Sequence, residues 1–188
     1  SLDPAGSRLV SVSADAVLRQ WEFNAMDRRL LSSRESEPLG SAPVISARFS
    51  GTGGKLLCAG GLTVARMLDR EGNPLLESCP GDMYIVDMAR TKGHVAQLRD
   101  ARWMSDEPDR FATVAGDGTL RLWDAVAATA PTSVFDGDLP RAKQISVVKL
   151  RNERGSRANA TAMAILPGES GGSRPVALGC DDCSIKII

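Results

Sequence analysis

The residues of this chain that could support catalysis are a serine in a glycine-rich run and one histidine. Gly168-Glu169-Ser170-Gly171-Gly172 satisfies the G-x-S-x-G pattern, in which a tight turn presents a nucleophilic serine. Such a serine needs a general base, and His94 is the single histidine of the chain. The order histidine before serine is possible for a protease, and a surface loop bounded by glycine and proline explains the run equally well. A serine hydrolase using Ser170 is therefore one hypothesis.

The cysteines offer a second kind of chemistry, because Cys180-Asp181-Asp182-Cys183 has the C-x-x-C spacing of zinc sites and redox turns. A zinc site needs two further ligands, and only Cys58, Cys79 and His94 remain to supply them. We therefore predict no metal site, no cofactor and no catalytic residue. Four cysteines at irregular spacing are too few for a disulfide framework, which favours a reducing compartment.

Basic side chains are concentrated between positions 141 and 157. This stretch holds six Lys or Arg and one acid, Glu153, and it contains no aromatic residue for base stacking. A local positive patch favours phosphate contact in RNA or an acidic partner, and the alternative is a solvated outer strand. The basic residues are Arg141, Lys143, Lys149, Arg151, Arg154 and Arg157.

Composition and charge narrow the classes of function. Lys plus Arg equals Asp plus Glu at 23 each, so no overall charge recruits nucleic acid or an anionic membrane. No apolar run approaches the roughly 18 residues of a membrane-spanning helix. We expect a soluble, intracellular protein that contacts no membrane and has no small-molecule substrate.

One spacing of residue types recurs along the chain and predicts repeated structural units. Thr113 lies four residues before Asp117, and Trp123 lies six residues after it. Such repetition is typical of stacked, similar units. The corresponding positions in the other copies are Ser11, Asp15 and Trp21; Cys58, Leu62 and Leu68; and Leu178, Asp182 and Ile188.

Short apolar stretches separated by turn residues predict an all-β architecture, and no helix-length pattern interrupts them. The Gly-Asp-Gly run at 116–118 joins two of the strands in a tight turn. The predicted strands are 8–13, 17–22, 30–33, 44–49, 55–59, 63–68, 74–78, 97–103, 111–115, 119–123, 145–150, 161–166, 176–179 and 184–188.

The best repeat resembles the WD-repeat family. It begins at Lys92-Gly93-His94 and closes at Leu122-Trp123-Asp124, with Trp123 placed 29 residues after His94. The resemblance implies a β-propeller, and the chain is expected to be one partial propeller segment over 1–188, about four blades of a ring of about seven. The expected blades are 1–40, 41–80, 94–151 and 159–188, with inserted loops over 80–93 and 125–144.

The resemblance also implies a role for the signature side chains. In this family a Trp donates to a Ser or Thr, that hydroxyl donates to a His, and the other ring nitrogen donates to an Asp in a turn. These groups are costly to bury unpaired, so the network would make the histidine structural. The expected members are His94, Thr113, Asp117 and Trp123 in one blade, and Ser11, Asp15 and Trp21 in another.

The run from Gly81 to His94, with Tyr84-Ile85-Val86-Asp87-Met88 inside it, is similar to the gastrulation-defective subfamily of WD-repeat proteins. That resemblance implies a non-catalytic nuclear scaffold whose partners are other proteins in a large complex. It points to the spliceosome and pre-mRNA processing, or to a ubiquitin-ligase-linked DNA-damage response. A nucleic-acid-contacting module using residues 141–157 and a serine hydrolase using Ser170 stay as alternatives.

Overall fold

The computed structural model describes residues 1–104, 109–129, 139–167 and 174–188. Within these ranges the regular elements are strands, apart from a short 3₁₀ helix at Phe23–Ala25. The strands are β1 (Arg8–Val12), β2 (Leu18–Glu22), β3 (Arg34–Ser36), β4 (Val44–Phe49), β5 (Leu56–Gly60), β6 (Arg66–Leu68), β7 (Pro74–Ser78), β8 (Leu98–Trp103), β9 (Arg110–Ala115), β10 (Thr119–Thr129), β11 (Arg141–Lys149), β12 (Ala160–Ile165), β13 (Val176–Cys180) and β14 (Ile185–Ile187).

The strands form successive antiparallel units, which we call blade 1 (β1–β3), blade 2 (β4–β7), blade 3 (β8–β11) and blade 4 (β12–β14). Blades 2 and 3 share one eight-stranded sheet, because their outermost strands β7 and β11 pair in parallel at Glu77–Arg141 and Ser78–Ala142. The expectation of an all-β, partial WD-repeat propeller is confirmed. Among the described residues, no helix has the length and apolar character needed to cross a bilayer.

The core lies between the blades, and strand alternation explains why. Side chains of a strand point alternately to opposite faces of its sheet, so a strand covered on both faces contributes to two cores. Leu56 packs with blade 1, whereas its neighbour Leu57 packs with blade 3. Phe111 and Ala112 divide in the same way between the cores facing blade 2 and blade 4.

The expected loop over 125–144 is wrong at both of its ends. Strand β10 continues to Thr129, and β11 already begins at Arg141. Ala125 and Ala142 are buried in the core between blades 2 and 3, so tertiary packing overrides an Ala- and Thr-rich composition that resembles a loop. Residues 130–138 of this range lie outside the described part of the chain.

The outer strand of blade 1 also differs from expectation, since it covers Arg34–Ser36 and not 30–33. Leu30 and Leu31 are exposed, and the left-handed φ of +55° at Leu30 is incompatible with a strand. Arg34 instead pairs with Gln20 of β2. The outer strand is therefore formed by the polar residues 34–36, which pair with β2, and the apolar Leu30 and Leu31 stay outside it.

Candidate functional site

The side chains of the signature residues in blade 3 form one continuous buried network. The Trp123 indole donates to Thr113 Oγ1 at 2.8 Å, and that hydroxyl donates to His94 Nε2 at 2.8 Å. His94 Nδ1 donates to Asp117 Oδ2 at 2.9 Å, while the Thr119 hydroxyl donates to Asp117 Oδ1 at 2.7 Å. These five residues are at most 2% exposed. Because the Thr113 hydroxyl donates to Nε2, that nitrogen carries no proton, and Nδ1 carries the one that is donated to Asp117. The network therefore assigns a neutral imidazole protonated on Nδ1.

Electrostatics support the same protonation state. Burial lowers the pKa of His94 below its ordinary value, and the hydrogen bond to Asp117 opposes that effect only in part. Burial alone would raise the pKa of Asp117, but the hydrogen bonds from His94, Thr119 and the Val95 amide outweigh it and bring the pKa to about 2. At neutral pH the pair is therefore a neutral imidazole beside a carboxylate. Since both ring nitrogens are occupied, His94 is not available as a general base.

The β9–β10 hairpin positions these groups. Thr113 faces Arg121 and Phe111 faces Trp123 across the ladder, so Trp123 and Thr113 share one face of the sheet. Trp123 stacks on Phe111 with ring centroids 6.2 Å apart. Gly118 closes the turn at φ +71°, and a Cβ there would lie 2.4 Å from Arg157 Cγ. The turn therefore requires glycine for both conformation and space.

In blade 1 the residues with the same spacing, Ser11, Asp15 and Trp21, make different bonds in this structure. The Trp21 indole donates to the Leu30 carbonyl at 3.0 Å, and Ser11 is exposed. Asp15 accepts from the Val17 amide and pairs with Arg19 at 3.0 Å. The described chain places no imidazole against this exposed hairpin, so the expected network of blade 1 stays a prediction.

The Cys180–Cys183 turn holds one buried and one exposed thiol. Cys183 has a φ of +60°, and its neighbour Asp182 accepts a hydrogen bond from the Ser184 amide at 3.1 Å. Within the described ranges, no group of three or more His, Cys, Asp and Glu side chains is arranged to hold a metal ion. These residues act in the structure as a turn between β13 and β14.

Sequence reasoning missed Arg121, which is completely buried in blade 3. Its guanidinium donates to the Thr91 carbonyl at 2.9 Å, to Thr91 Oγ1 at 3.0 Å and to the Met88 carbonyl at 2.6 Å, and it also contacts Gln144. A buried guanidinium is costly unless such acceptors surround it, and burial lowers its pKa. Its position four residues after the turn aspartate gave no signal, because arginine at a strand position is normally exposed.

Arg121 fixes the connection between blades 2 and 3, which we call the 81–93 segment. Two Asp side chains close tight turns within it: Asp82 accepts from the Tyr84 amide at 2.9 Å, and Asp87 accepts from the Ala89 amide at 3.0 Å. At the end of the segment Gly93 is packed so closely that a Cβ would lie 1.8 Å from the Cys79 carbonyl oxygen. The backbone is therefore held at its turns and at its far end.

The 81–93 segment exposes large apolar side chains. Met83 is 77% exposed, Tyr84 is 89% exposed and Val86 is 95% exposed. Scattered exposed apolar residues are ordinary, but a cluster on one ordered segment is typical of an interaction site. The segment thus combines a fixed backbone with an uncovered apolar surface.

The structure does not bring the basic stretch 141–157 together as one patch. Arg141 begins β11 and Lys149 ends it, so they lie on the order of 25 Å apart at about 3.3 Å per residue. Arg141 forms an ion pair with Glu77, and Lys149 pairs with Asp87 at 2.5 Å. Arg151 donates to the Gly155 carbonyl at 2.6 Å. The stretch is instead divided among several cavities, two of which are also lined by the 81–93 segment.

We call these the outer cavity and the turn cavity. The outer cavity has a volume of about 580 Å³ and includes Arg141 and Lys143, together with Arg90 and Lys92 of the 81–93 segment. The turn cavity has a volume of about 160 Å³. Its lining includes Val86 and Gly118, and it carries both signs of charge: Lys149, Arg151 and Arg157 beside Asp87 and Asp117. Arg154 lies elsewhere, beside the turn that contains Cys183.

Ser170 lies outside the described residues, as does the rest of the glycine-rich run at 168–173. Its proposed base, His94, is buried with both ring nitrogens engaged by Thr113 and Asp117. A hydrolase would therefore need another base, and histidine occurs nowhere else in the chain.

Comparison with known families identifies one part of the chain directly. Residues 87–124 match the family described as WD domain, G-beta repeat. The match runs from the 81–93 segment through β8 and β9 to Trp123 and Asp124 in β10. It therefore contains every residue of the buried network and ends before β11.

Similarity to known proteins extends over nearly the whole chain. The Gastrulation defective protein 1 homolog of Drosophila melanogaster is 39% identical over 184 residues, which cover 98% of this chain and 26% of that protein. WD repeat-containing protein 70 of Xenopus tropicalis is 36% identical over 186 residues, 99% of this chain and 27% of that protein. The Homo sapiens protein of the same name is 35% identical over 144 residues, 77% and 22% of the two chains. The expected subfamily resemblance is confirmed, and the chain spans about a quarter of these relatives.

Solved structures confirm the fold. The crystal structure of Chaetomium thermophilum Raptor matches 96% of this chain and 14% of its own, with a TM-score of 0.66 and 15% sequence identity. A likeness at that identity concerns architecture alone, since one fold supports many functions.

Proposed function

We propose that this chain, which belongs to the WD-repeat family, is part of a non-catalytic protein-interaction scaffold. The observation that carries the proposal concerns the single histidine, His94. It is buried, and both of its ring nitrogens are hydrogen-bonded within the structural network. A propeller blade stabilised in this way is a rigid support for loops, and loops on a rigid support carry binding. The apolar side chains exposed on the 81–93 segment agree with that role.

We further propose that the scaffold works in a nuclear multiprotein assembly. The candidates are the spliceosome with its pre-mRNA processing factors, and a ubiquitin-ligase-linked DNA-damage response. The support is the resemblance of the chain to the gastrulation-defective subfamily, including the Tyr84–Met88 run that ordinary WD repeats do not carry.

Affinity purification tests this proposal. The intact protein, tagged and expressed in its own cells, is purified from nuclear extract beside a tag-only bait, and both eluates are quantified by mass spectrometry. Splicing factors or ligase subunits enriched over the control are the expected result. Enrichment of neither class contradicts the nuclear assignment, and no enriched protein at all contradicts the scaffold.

The alternative of a nucleic-acid-contacting module is favoured by one observation, the basic side chains of Lys149, Arg151 and Arg157 at the turn cavity. Its test is fluorescence anisotropy with labelled single-stranded and duplex RNA. Phosphate contacts would weaken steeply as salt rises from about 50 to about 200 mM. They would also be lost with Arg151→Ala and Arg157→Ala. Absence of such binding removes this alternative and leaves the scaffold proposal unaffected.

A further inference from the structure

We infer that the 81–93 segment is a docking surface for a partner-protein segment in which acidic residues flank an apolar side chain. The inference rests on the proposed scaffold function and specifies its partner chemistry. Three features of the segment support it: an uncovered apolar surface, a backbone fixed before binding, and an adjoining cavity lined by basic residues.

The apolar surface consists of consecutive turns rather than a strand face. Met83, Tyr84 and Val86 are each more than three-quarters exposed, and Tyr84 is the single tyrosine of the chain. Tyrosine and methionine are enriched in protein–protein interfaces, where they bury large areas against a partner. An occupant of this surface therefore needs an apolar side chain of its own.

The segment is fixed before a partner arrives. The buried Arg121 holds the carbonyls of Met88 and Thr91, and the two aspartate turns order the residues that precede them. The Gly81 amide also donates to the His94 carbonyl at 2.9 Å, which joins the segment to the blade network. Binding to an ordered loop avoids much of the entropic cost of association, so the fixed backbone favours recognition.

The charges beside the segment set the chemistry of the partner. Four basic side chains, Arg90, Lys92, Arg141 and Lys143, line the outer cavity, and no acidic residue of the described chain lines it. Two of these charges are paired, because Arg141 contacts Glu77 and Arg90 lies 3.9 Å from Asp87, which leaves Lys92 and Lys143. At the turn cavity Lys149 is balanced by Asp87 at 2.5 Å. The remaining excess of positive charge complements acidic residues on a partner.

The apolar component favours a protein partner over RNA. Met83 and Val86 offer no ring on which a base can stack, and Tyr84 is the one aromatic side chain of the segment. Small apolar residues, Cys79, Ala89, Ala127 and Ala142, form part of the outer cavity wall. Such a wall suits an aliphatic or aromatic side chain between two carboxylates.

Site-specific photo-crosslinking tests the inference in the intact protein. A photoreactive benzoylphenylalanine replaces Tyr84, and a control variant carries it at Phe23, an exposed aromatic of blade 1. After irradiation in nuclear extract, the crosslinked peptides are sequenced. The expected result is a partner peptide with acidic residues beside an apolar one, crosslinked at position 84 and not at position 23.

Charge reversal provides the second arm. Arg90→Glu with Lys92→Glu is expected to reduce the crosslink at position 84 on the order of tenfold, since like charges then face each other. The matched control is Arg28→Glu with Arg29→Glu, two exposed arginines of blade 1 that should leave the crosslink unchanged. Equal loss in both variants would show a general charge effect and overturn the docking surface.

Other outcomes are also decisive. A crosslink to RNA, a crosslink within the same polypeptide, or no crosslink at position 84 overturns the inference. If the affinity purification still recovers partners in that case, the scaffold proposal stands and only the docking surface is wrong. Because Tyr84 is so exposed, Tyr84→Ala should leave the unfolding midpoint unchanged, which separates a binding defect from misfolding.

Discussion

Blade 1 and blade 3 carry equivalent residues on equally registered hairpins, yet only the residues of blade 3 are buried. Ser11 faces Arg19 across the β1–β2 ladder as Thr113 faces Arg121 across β9–β10. In blade 3 the preceding segment places His94 over the hairpin, and the network closes. In blade 1 the tryptophan and aspartate bond instead to nearby surface groups.

The two arginines show the same contrast. Arg19 lies at the surface between Asp15 and Glu35, at 3.0 and 3.1 Å. Arg121 is buried and donates to the 81–93 segment. The difference teaches that the repeat spacing determines where a side chain starts, whereas the chain that packs over it determines which bonds it makes. Four predictions test this conclusion, and three of them compare equivalent residues of the two blades.

The largest difference is expected between the two tryptophans. Trp123→Ala leaves a cavity beside Phe111 and orphans Thr113, so we expect a loss of about 3–5 kcal/mol in the free energy of unfolding. Trp21→Ala should cost less than about 1 kcal/mol, because this side chain is partly exposed. Urea denaturation followed by circular dichroism measures both, and equal losses would refute the contrast.

The two turn aspartates come next. Asp117→Ala leaves His94 Nδ1 and the Thr119 hydroxyl without their acceptor, at an expected cost of about 1–3 kcal/mol. Asp15→Ala removes an exposed ion pair and should change the urea midpoint little. A variant of Asp117 that unfolds at the parental urea concentration would show that the carboxylate is not needed.

The two arginines are expected to differ locally. Arg121→Met frees the carbonyls of Met88 and Thr91, so amide hydrogen exchange in the 81–93 segment should accelerate about tenfold, or about 1.4 kcal/mol. Arg19→Met should leave that exchange unchanged. Exchange monitored by mass spectrometry reports both, and an unaltered segment in Arg121→Met would mean that its turns alone order it.

The smallest effect concerns pH and belongs to blade 3 alone, since blade 1 contains no histidine. The folded pKa of His94 lies below its unfolded value of about 6.5, so the unfolded chain binds the proton more readily. The contribution of neutral His94 to the free energy of unfolding is therefore fully present above about pH 6.5 and is lost as the pH falls below that value. Asp117 adds a further loss as the pH falls from its ordinary value toward about 2.

Urea midpoints at about pH 7.5 and about pH 5.5 test this dependence. We expect a lower midpoint at the acidic pH in the parent and a flatter profile in His94→Gln, which is less stable at both. An NMR titration of the parent protein measures the pKa of the single imidazole directly, and we expect it to lie below the ordinary value. A midpoint that rises on acidification would contradict the neutral, buried histidine.

The sequence located most of the strands, and the successes have a common cause. Val44–Phe49 and Pro74–Ser78 were predicted with the bounds that the structure gives them, because turn residues flank both apolar stretches. The start of β11 was missed, since Arg141 and Ala142 pair with β7, which lies more than 60 residues earlier in the chain. The end of β10 was missed with it, because Thr129 pairs with Arg141. The local composition of a strand does not predict pairing with a partner so distant in sequence.

The candidate site divides in the same way. Four of the five network residues of blade 3 could be named from their spacing and family resemblance, whereas Thr119 and Arg121 could not. An arginine in a strand gives no local sign of being buried. The division of the basic stretch among several cavities was equally invisible. A run of charges in sequence becomes a patch only if the strand that carries it is short or folds back.

The amino-acid sequence by itself determined the repeat, the strands and the hairpin turns of this protein, because these depend on side-chain alternation and on backbone preferences within a few residues. Tertiary packing determines which of the two equal spacings gives a buried network, and which segment stays exposed beside a basic cavity. The physical reason is desolvation: a polar group bonds to water unless a distant part of the chain covers it, and that cover is not encoded locally.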